Sequence, residues 1–261
     1  MNRIVVITGG TSGIGLELKN LYFQSGDTVL TISTRQLDDP LHYSCSVSDE
    51  KNIKDVINQI GAKYGQIDVL INNAGFGMSG ICEFLTSDKI KDLTEVNYYG
   101  TIYTIQGAIK YMKKGSKIIN ISSAMALFPV PFRGIYASVK SAVLTLSFEL
   151  RMELKSLGID VVAICPGDIK TNFTKNRIKD FVTNERYGNR LESATLKSDS
   201  REEKRMSAEK CAKSIYKKIN HKKSKPFYII GTKYKILYFI TKITPKSWLL
   251  GITNKLYGGK N

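Results

Sequence analysis

Short runs of apolar, mostly β-branched residues recur along the chain, and longer stretches with helical spacing separate them. Seven of these runs predict strands, at residues 3–8, 28–33, 41–47, 68–73, 116–122, 159–165 and 225–231. Five stretches between them predict helices, at residues 13–25, 49–64, 87–114, 135–157 and 207–220. The strand runs are continuously apolar, as expected for strands that are buried on both faces. Alternation of such strands with helices predicts an α/β fold, in which a doubly wound parallel sheet of about seven strands carries helices on both faces.

Composition and charge divide this chain into a nearly neutral body and a basic end. The 261 residues are 42% hydrophobic and 24% charged, which is the composition of one well-buried globular domain. The net charge of +16 is concentrated in residues 201–261, which hold 16 Lys and Arg against 3 Asp and Glu. We therefore expect a single domain over residues 1–231 and a basic, amphipathic helical extension over residues 232–261. For residues 201–261 only, this charge suggests an acidic partner surface, lipid headgroups or RNA, and the alternative is a solvated basic face with no specific partner.

The four cysteines are scattered, and neither a CxxC pair nor a histidine cluster accompanies them. They predict reduced thiols in the cytoplasm, with neither a zinc site nor a disulfide framework. Met1 leads directly into "RIVVITGG", so no secretory leader is expected. The predicted location is cytoplasmic, with peripheral membrane contact left open.

A glycine-rich turn, "TGGTSGIG" at residues 8–15, follows the first predicted strand and opens the first predicted helix. Gly9, Gly13 and Gly15 would supply a tight turn, close approach to a pyrophosphate, and close packing of helix on strand. Backbone N–H groups at a helix N-terminus then meet the phosphates. In this position the turn predicts a Rossmann-type dinucleotide-binding fold.

Six segments, in their order along the chain, resemble the short-chain dehydrogenase/reductase family. They are "TGGTSGIG", "NNAG" (72–75), "VNYYGT" (96–101), "NISS" (120–123), "YASVK" (136–140) and "PGDIKT" (166–171). The resemblance extends from about residue 3 to about residue 231. It implies an NAD(P)-dependent oxidoreductase that transfers hydride between a nicotinamide and a carbonyl or secondary alcohol. No metal site is expected, because the sequence carries no metal-binding motif.

Tyr136 and Lys140 are four residues apart, so they lie on one face of the predicted helix. A free phenol has a pKa of about 10, which makes it a poor proton donor or acceptor near neutral pH. A cation within about 4–6 Å lowers that pKa. The spacing therefore predicts that Lys140 lowers the pKa of Tyr136. The resemblance implies that Tyr136 is the acid/base and that Lys140 also binds the nicotinamide ribose.

Two further catalytic residues are implied by the resemblance, Ser123 and Asn97. Ser123 would donate a hydrogen bond to the substrate oxygen as charge develops there. Ser122 is a competing candidate, and strand alternation points the two hydroxyls to opposite sides. Asn97 would hold a water that links Lys140 to solvent.

The end of the second strand favours NADP(H) over NAD(H). An acidic residue there would bind the ribose 2′-hydroxyl of NAD, but Ser33, Thr34 and Arg35 follow instead. Hydroxyls and a guanidinium suit a 2′-phosphate. Asp38 and Asp39 lie farther along the chain. The candidate cofactor-binding residues are Gly9, Thr11, Ser12, Gly13, Ile14, Gly15, Ser33, Thr34, Arg35, Val47, Asn73, Ala74, Gly75, Tyr136, Lys140, Pro166, Gly167, Ile169 and Thr171.

The substrate side is predicted from two segments. Residues 172–206 are expected to form a lid, with an apolar face made by Phe173, Ile178, Phe181 and Val182. The loop at 126–134 carries further apolar residues, which either wall the pocket or simply pack the loop: Phe128, Val130 and Phe132. The first alternative predicts an apolar or lipid-like carbonyl or alcohol substrate.

Residues 233–257 interleave aromatic and aliphatic residues with lysines, and their uncharged runs are too short to span a bilayer. Three roles fit this pattern: contact with a membrane surface, a cover over a hydrophobic substrate channel, and a subunit interface. The family resemblance implies a homodimer or homotetramer. Two alternatives to an enzyme remain, a non-catalytic dinucleotide-binding sensor or scaffold and a membrane- or nucleic-acid-binding module. No specific nucleic acid is expected, because no RNA-binding motif is present.

Overall fold

Seven parallel strands form the central sheet, which confirms the predicted α/β fold. The computed structural model describes residues 2–171, 173, 176–181, 184–200, 205–221 and 223–259. The strands of this sheet are β1 (Ile4–Thr8), β2 (Thr28–Ser33), β3 (His42–Ser44), β4 (Val69–Asn72), β6 (Lys117–Ile121), β7 (Asp160–Pro166) and β11 (Phe227–Ile230). Their order is β11-β7-β6-β4-β1-β2-β3. The order reverses between β1 and β4, and sheets of this kind bind ligands at such a point, beyond the carboxyl ends of the strands.

Four short strands beyond the main sheet were not predicted. They are β5 (Met78–Gly80), β8 (Ile169–Lys170), β9 (Ile178–Asp180) and β10 (Met206–Ser207). Strand β5 pairs with β9 and β8 pairs with β10, both in parallel. These pairs tie the predicted lid segment to the body of the domain.

Helices connect the strands and cover both faces of the sheet. They are α1 (Gly13–Gln24), α2 (Glu50–Tyr64), α3 (Ser87–Thr94), α4 (Gly100–Ala108), α5 (Gly134–Glu153), α6 (Arg190–Asp199), α7 (Ala208–Ile219), α8 (Thr232–Ile243) and α9 (Lys246–Tyr257). The single helix predicted over 87–114 is wrong in detail. A π-helical turn at Glu95–Tyr99 separates α3 from α4, and a 3₁₀ turn at Ile109–Tyr111 ends the segment.

Alternate residues of the central strand β1 are buried in two separate cores. Val5 and Ile7 pack in the core that faces α1 and α7, and Val6 packs in the core that faces α2 and α4. All three side chains are fully buried. Burying an aliphatic side chain of this size stabilises a fold by about 1.5–3 kcal/mol. The continuous apolar runs therefore fix the sheet between two helical layers.

The C-terminal helices α8 and α9 pack on the domain through their inner faces only. Tyr234 stacks on Phe128 with ring centroids 6.1 Å apart, and Tyr238 meets Phe227 edge-on at 5.7 Å. Helix α9 buries Leu249. Among the described residues, none of the helices combines the length and the apolar character that crossing a membrane requires.

Candidate active site

A cleft of about 220 Å³ opens at the carboxyl ends of the central strands. It brings together residues from five predicted motifs, namely Gly9, Ser12, Gly13, Ile14, Asn73, Ala74, Gly75, Ser123, Tyr136, Lys140, Pro166, Gly167, Ile169 and Thr171. Phe76, Ile121 and Asn176 also line it, and sequence reasoning missed them. Phe76 directly follows the "NNAG" motif, which was a usable signal, whereas nothing in the sequence marked Asn176.

The glycine-rich turn forms a cradle with no room for side chains. Gly9 and Gly13 have φ angles of 66° and 54°, a region that favours glycine. A Cβ atom on Gly15 would lie 2.4 Å from the Gly9 carbonyl oxygen. Asn73 fastens the turn, because its Nδ2 donates to the Gly9 oxygen at 3.0 Å and the Thr8 oxygen at 3.2 Å. This bare backbone at the start of α1 fits the pyrophosphate of a dinucleotide.

The loop after β7 closes over the same turn. A Cβ atom on Gly13 would lie 3.4 Å from Cγ2 of Thr171, so the two segments are in close contact. Gly167 lies against the ring of Tyr234, and a Cβ atom there would be 2.0 Å from that ring. Glycine at 167 is therefore required for the loop to pass beneath α8.

The predicted phosphate-selective residues lie beside the turn but outside the lining of the main cleft. Thr11 Oγ1 donates to Ser33 Oγ at 3.3 Å, and Arg35 Nη1 donates to the Thr11 carbonyl at 3.2 Å. His42 Nε2 lies 2.8 Å from the Arg35 carbonyl oxygen. The guanidinium of Arg35 is thus held over the first residues of the turn.

The acidic residues near this position are engaged elsewhere. Asp39 pairs with Lys19 at 3.0 Å and accepts from the Leu41 backbone, and these contacts lower its pKa. Asp49 caps α2 by accepting from the Asn52 backbone at 3.0 Å. Neither carboxylate is therefore directed at the glycine-rich turn.

Ser123 and Tyr136 both line the cleft, and the Ser123 hydroxyl is close enough to act on the phenol. Ser123 Oγ also accepts from the Met125 backbone N–H at 3.2 Å. Ser122 points away and donates to the Lys140 carbonyl at 2.7 Å. The two serines therefore differ in direction, and Ser123 is the one that meets the phenol.

Burial raises the pKa of the Tyr136 phenol, whose residue is 7% exposed. The hydrogen bond from Ser123 and the positive charges of Arg133 and Arg177 act in the opposite direction, but burial exceeds them. The expectation that Lys140 lowers this pKa is therefore wrong for the chain by itself. An i, i+4 spacing brings two side chains together but does not reveal how little water reaches them.

Lys140 is almost completely buried, and its ammonium donates to the Ile121 carbonyl at 3.0 Å. Burial lowers its pKa to about 8. A lysine with this pKa exchanges its proton close to neutral pH, unlike a solvated lysine. The side chain can therefore take part in proton transfer as well as in hydrogen bonding.

Asn97 lies in the π-helical turn between α3 and α4, and such turns are frequent at functional sites. Its Nδ2 donates to the Phe76 and Leu93 carbonyls at 3.0 and 3.1 Å. Its Oδ1 is buried and has no hydrogen-bond partner among the described residues. A Cβ atom on Gly75 would lie 2.1 Å from this oxygen and 3.6 Å from Lys140 Nζ. The two polar atoms are thus less than about 6 Å apart, a gap that one water can bridge.

A recess of about 60 Å³ adjoins Ser123 and Tyr136 on the side of the lid. Three arginines line it, Arg133, Arg177 and Arg205. Arg133 and Arg177 are close enough to lower the pKa of Tyr136. This side of the site is therefore more basic than the sequence predicted.

The predicted apolar wall residues lie elsewhere. Phe128, Val130 and Phe132 line a separate recess of about 40 Å³ together with Tyr234 and Tyr257. In the structure they pack the loop beneath α8 and α9, which is the second alternative of the sequence analysis. Of the predicted lid face, Phe173 lies 6.1 Å from Tyr136, measured between ring centroids. The predicted lid residue Val182 lies outside the described residues.

The chain is similar to a family model, to a curated protein and to solved structures. A family model described as short chain dehydrogenase matches residues 3–181. A 3-ketodihydrosphingosine reductase of Bacteroides thetaiotaomicron is 31% identical over 254 residues, covering 95% of this chain and 93% of that protein. A crystal structure of a short-chain dehydrogenase from Streptomyces avermitilis has a TM-score of 0.84 and 24% identity, covering 100% of this chain and 98% of that one. The structure of ElxO with NADP bound has a TM-score of 0.73 and 26% identity, and the match covers 90% of this chain and 100% of ElxO.

Proposed function

Because this chain belongs to the short-chain dehydrogenase/reductase family, whose members are NAD(P)-dependent oxidoreductases acting on CH–OH or C=O groups, we propose that it is an NADP(H)-dependent carbonyl reductase. The observation that carries the proposal is one cleft in which Tyr136, Lys140 and Ser123 are buried together, with the Ser123 hydroxyl close enough to act on the phenol. The cleft suits a dinucleotide because Gly9 and Gly13 line it with bare backbone, and Gly15 packs directly against Gly9. When bound, the nicotinamide supplies or accepts the hydride.

The preference for NADP(H) over NAD(H) rests on Arg35, whose guanidinium lies beside the glycine-rich turn. A guanidinium offers a 2′-phosphate charged, bidentate hydrogen bonds. Asp39, one of the two acidic alternatives, is already bound by Lys19.

Tyr136 donates its proton to the carbonyl oxygen of the substrate. Its raised pKa keeps the phenol protonated at neutral pH, so the acid form is the one present for reduction. Ser123 is fixed by the Met125 N–H and directs its hydroxyl at the same oxygen. There it stabilises the negative charge that develops during the reaction.

Lys140 and Asn97 return a proton to Tyr136. Lys140 has a pKa of about 8, so it can release and regain a proton near neutral pH. The buried Oδ1 of Asn97 accepts a hydrogen bond from a water that connects Lys140 to solvent. Asn97 therefore acts through the water it holds rather than on the substrate.

The substrate is an apolar or lipid-like carbonyl compound that carries a polar or acidic group. Phe173 and Ile169 line both the cleft and the recess beside Tyr136, and Arg133 and Arg177 add positive charge there. The similarity to a 3-ketodihydrosphingosine reductase supports a 3-keto compound. Residues 172–206 form the lid in this proposal.

The proposal also covers the oligomeric state of the enzyme, its location and the role of its C-terminal extension. The enzyme is a cytoplasmic homodimer or homotetramer, and residues 232–261 form an extension that contacts a membrane peripherally. The exposed apolar residues of α8 and α9 support that contact, whereas their buried inner faces support a packing role as well. The end of β11 at Ile230 supports the proposed domain boundary at residue 231.

The test is NADPH oxidation with a panel of ketones that includes long-chain 3-keto esters and the corresponding acids. Tyr136→Phe is expected to lower kcat at least ~100-fold while the dissociation constant for NADPH stays within about threefold, because only the transferable proton is lost. Substantial turnover by this variant contradicts the assignment of Tyr136. A wild-type protein that binds NADPH but reduces no ketone in the panel favours the non-catalytic sensor.

A further inference from the structure

A basic groove of about 860 Å³ lies on the open edge of the sheet, between the end of α7, strand β11 and helix α8. It shares no lining residue with the catalytic cleft. Its described lining includes no acidic residue. Six lysines line it, namely Lys217, Lys218, Lys223, Lys225, Lys235 and Lys242. Its apolar lining is largely aromatic, with Phe227, Tyr228, Tyr238 and Phe239.

The lysines of this groove are close enough to repel one another. The pKa of Lys218 is lowered by burial and by the positive charges of Lys235, Lys225 and Lys217. Like charges held together without described carboxylates among them destabilise the free protein. An anionic partner would relieve this repulsion.

Apolar side chains continue from the groove onto the outer faces of α8 and α9. On α8, Ile236, Phe239 and Ile243 are 57%, 64% and 69% exposed. Their spacing places them on one face of the helix, and Phe239 belongs to the groove as well. This arrangement makes the groove and the apolar face of α8 one continuous surface.

Helix α9 carries a second outward stripe of the same kind. Trp248, Ile252 and Leu256 are exposed at intervals of four residues, whereas Leu249 and Thr253 are buried beneath them. Each of the two helices has 12 residues and is about 18 Å long, too short to cross a bilayer but suited to lie along its surface. Lysines beside exposed aromatic and aliphatic residues are typical of helices at a lipid–water interface.

We propose that the groove binds the anionic headgroups of a lipid surface while the outer stripes of α8 and α9 enter its interfacial layer. A second copy of this chain is a poor occupant, because a two-fold interface would set the same lysines against each other. A water-soluble acidic protein accounts for the lysines but not for the exposed Trp248, Phe239 and Ile243. The inference rests on the membrane contact proposed for the extension and is independent of the oxidoreductase activity.

Vesicle co-sedimentation tests this site, with phosphatidylcholine alone and with phosphatidylcholine mixed with phosphatidylglycerol. The groove variant combines Lys218→Gln, Lys235→Gln and Lys242→Gln. The matched control removes three exposed lysines from helices α2 and α3, which contribute nothing to the groove, with Lys51→Gln, Lys63→Gln and Lys91→Gln. Wild type and control are expected to bind the anionic vesicles alike, and the groove variant roughly 10- to 100-fold more weakly. Added salt should weaken the wild type.

A stripe variant, Ile243→Gln with Trp248→Gln, changes no residue of the groove lining and so separates the groove from the membrane contact as a whole. It is expected to weaken binding to the anionic vesicles while leaving the groove charge unchanged. Equal binding by the groove variant and the control overturns the headgroup site, and failure of the wild type to bind either vesicle overturns the membrane contact itself. NADPH oxidation, measured on every variant, is expected to stay at the wild-type level, which excludes misfolding. Loss of that activity in all proteins would instead refute the proposed reductase.

Discussion

Replacement of Gly75 by alanine tests the proposed partnership of Asn97 and Lys140. The new Cβ atom would lie 2.1 Å from Asn97 Oδ1, closer than real Cβ contacts come, so the amide must move. The amide is held by two hydrogen bonds, to Phe76 and Leu93. Each is worth about 1 kcal/mol, and leaving a buried polar group unsatisfied adds about 1–3 kcal/mol. We therefore expect Gly75→Ala to lower the free energy of unfolding by about 3–5 kcal/mol.

The cost should depend on Asn97. With Asn97→Ala in place, the next atom recorded near the new Cβ is Lys140 Nζ at 3.6 Å, an ordinary contact. The strain of a side chain at a φ of 158° then remains, but the clash with the amide is gone. The cost of Gly75→Ala should therefore fall by roughly 3 kcal/mol, which is the coupling energy of a double-mutant cycle. Urea denaturation of the wild type, both single variants and the double variant measures this coupling.

Gly251→Ala is the control, because a Cβ atom on this α9 glycine would meet nothing within 4 Å. Its effect should be a stabilisation of about 0.5–1 kcal/mol, from helix propensity alone. If Gly75→Ala costs the same with and without the Asn97 side chain, the clash is absent and the inferred geometry of the Asn97–Lys140 gap is refuted. The double variant should also regain stability without regaining kcat, because the water-holding oxygen is gone.

Two further predictions concern the cofactor and pH. Arg35→Ala should raise KM for NADPH roughly 10- to 100-fold and leave KM for NADH nearly unchanged, because the lost guanidinium binds the 2′-phosphate that only NADPH carries. Equal effects on both cofactors would contradict the NADP(H) preference. The pKa of Lys140 is about 8 in the folded protein, against 10.5 for a solvated lysine in the unfolded chain. Between these two pH values the unfolded chain binds more protons than the folded protein. The free energy of unfolding therefore rises with pH in this range. The rise in the free energy of unfolding that comes from this group approaches about 3 kcal/mol and should be absent in Lys140→Met. Denaturation of both proteins at several pH values measures it. If the free energy of unfolding depends on pH in the same way in both proteins, the buried position of the ammonium is refuted.

The sequence predicted those strands and helices that are marked by a pattern of neighbouring residues. Continuous β-branched runs such as Val5–Ile7 belong to strands buried on both sides, and the glycines of the first turn mark the helix start that follows. The four short strands had no such pattern. They are two or three residues long and form because the lid segment pairs with backbone brought there by other elements. The π-helical turn at Asn97 likewise lies inside a stretch whose spacing is helical throughout.

For the candidate site, the sequence by itself determined which reactive groups lie within one turn or at one strand end, because spacing within a helix or strand fixes direction. It therefore paired Tyr136 with Lys140 and separated Ser122 from Ser123. Only the tertiary structure decided how much water reaches those groups and which distant charges face them. Burial reversed the expected pKa shift of Tyr136, and Arg133 and Arg177 joined its surroundings. The reason is physical: solvation and long-range electrostatics depend on the packing of all elements together, and no local spacing encodes that packing.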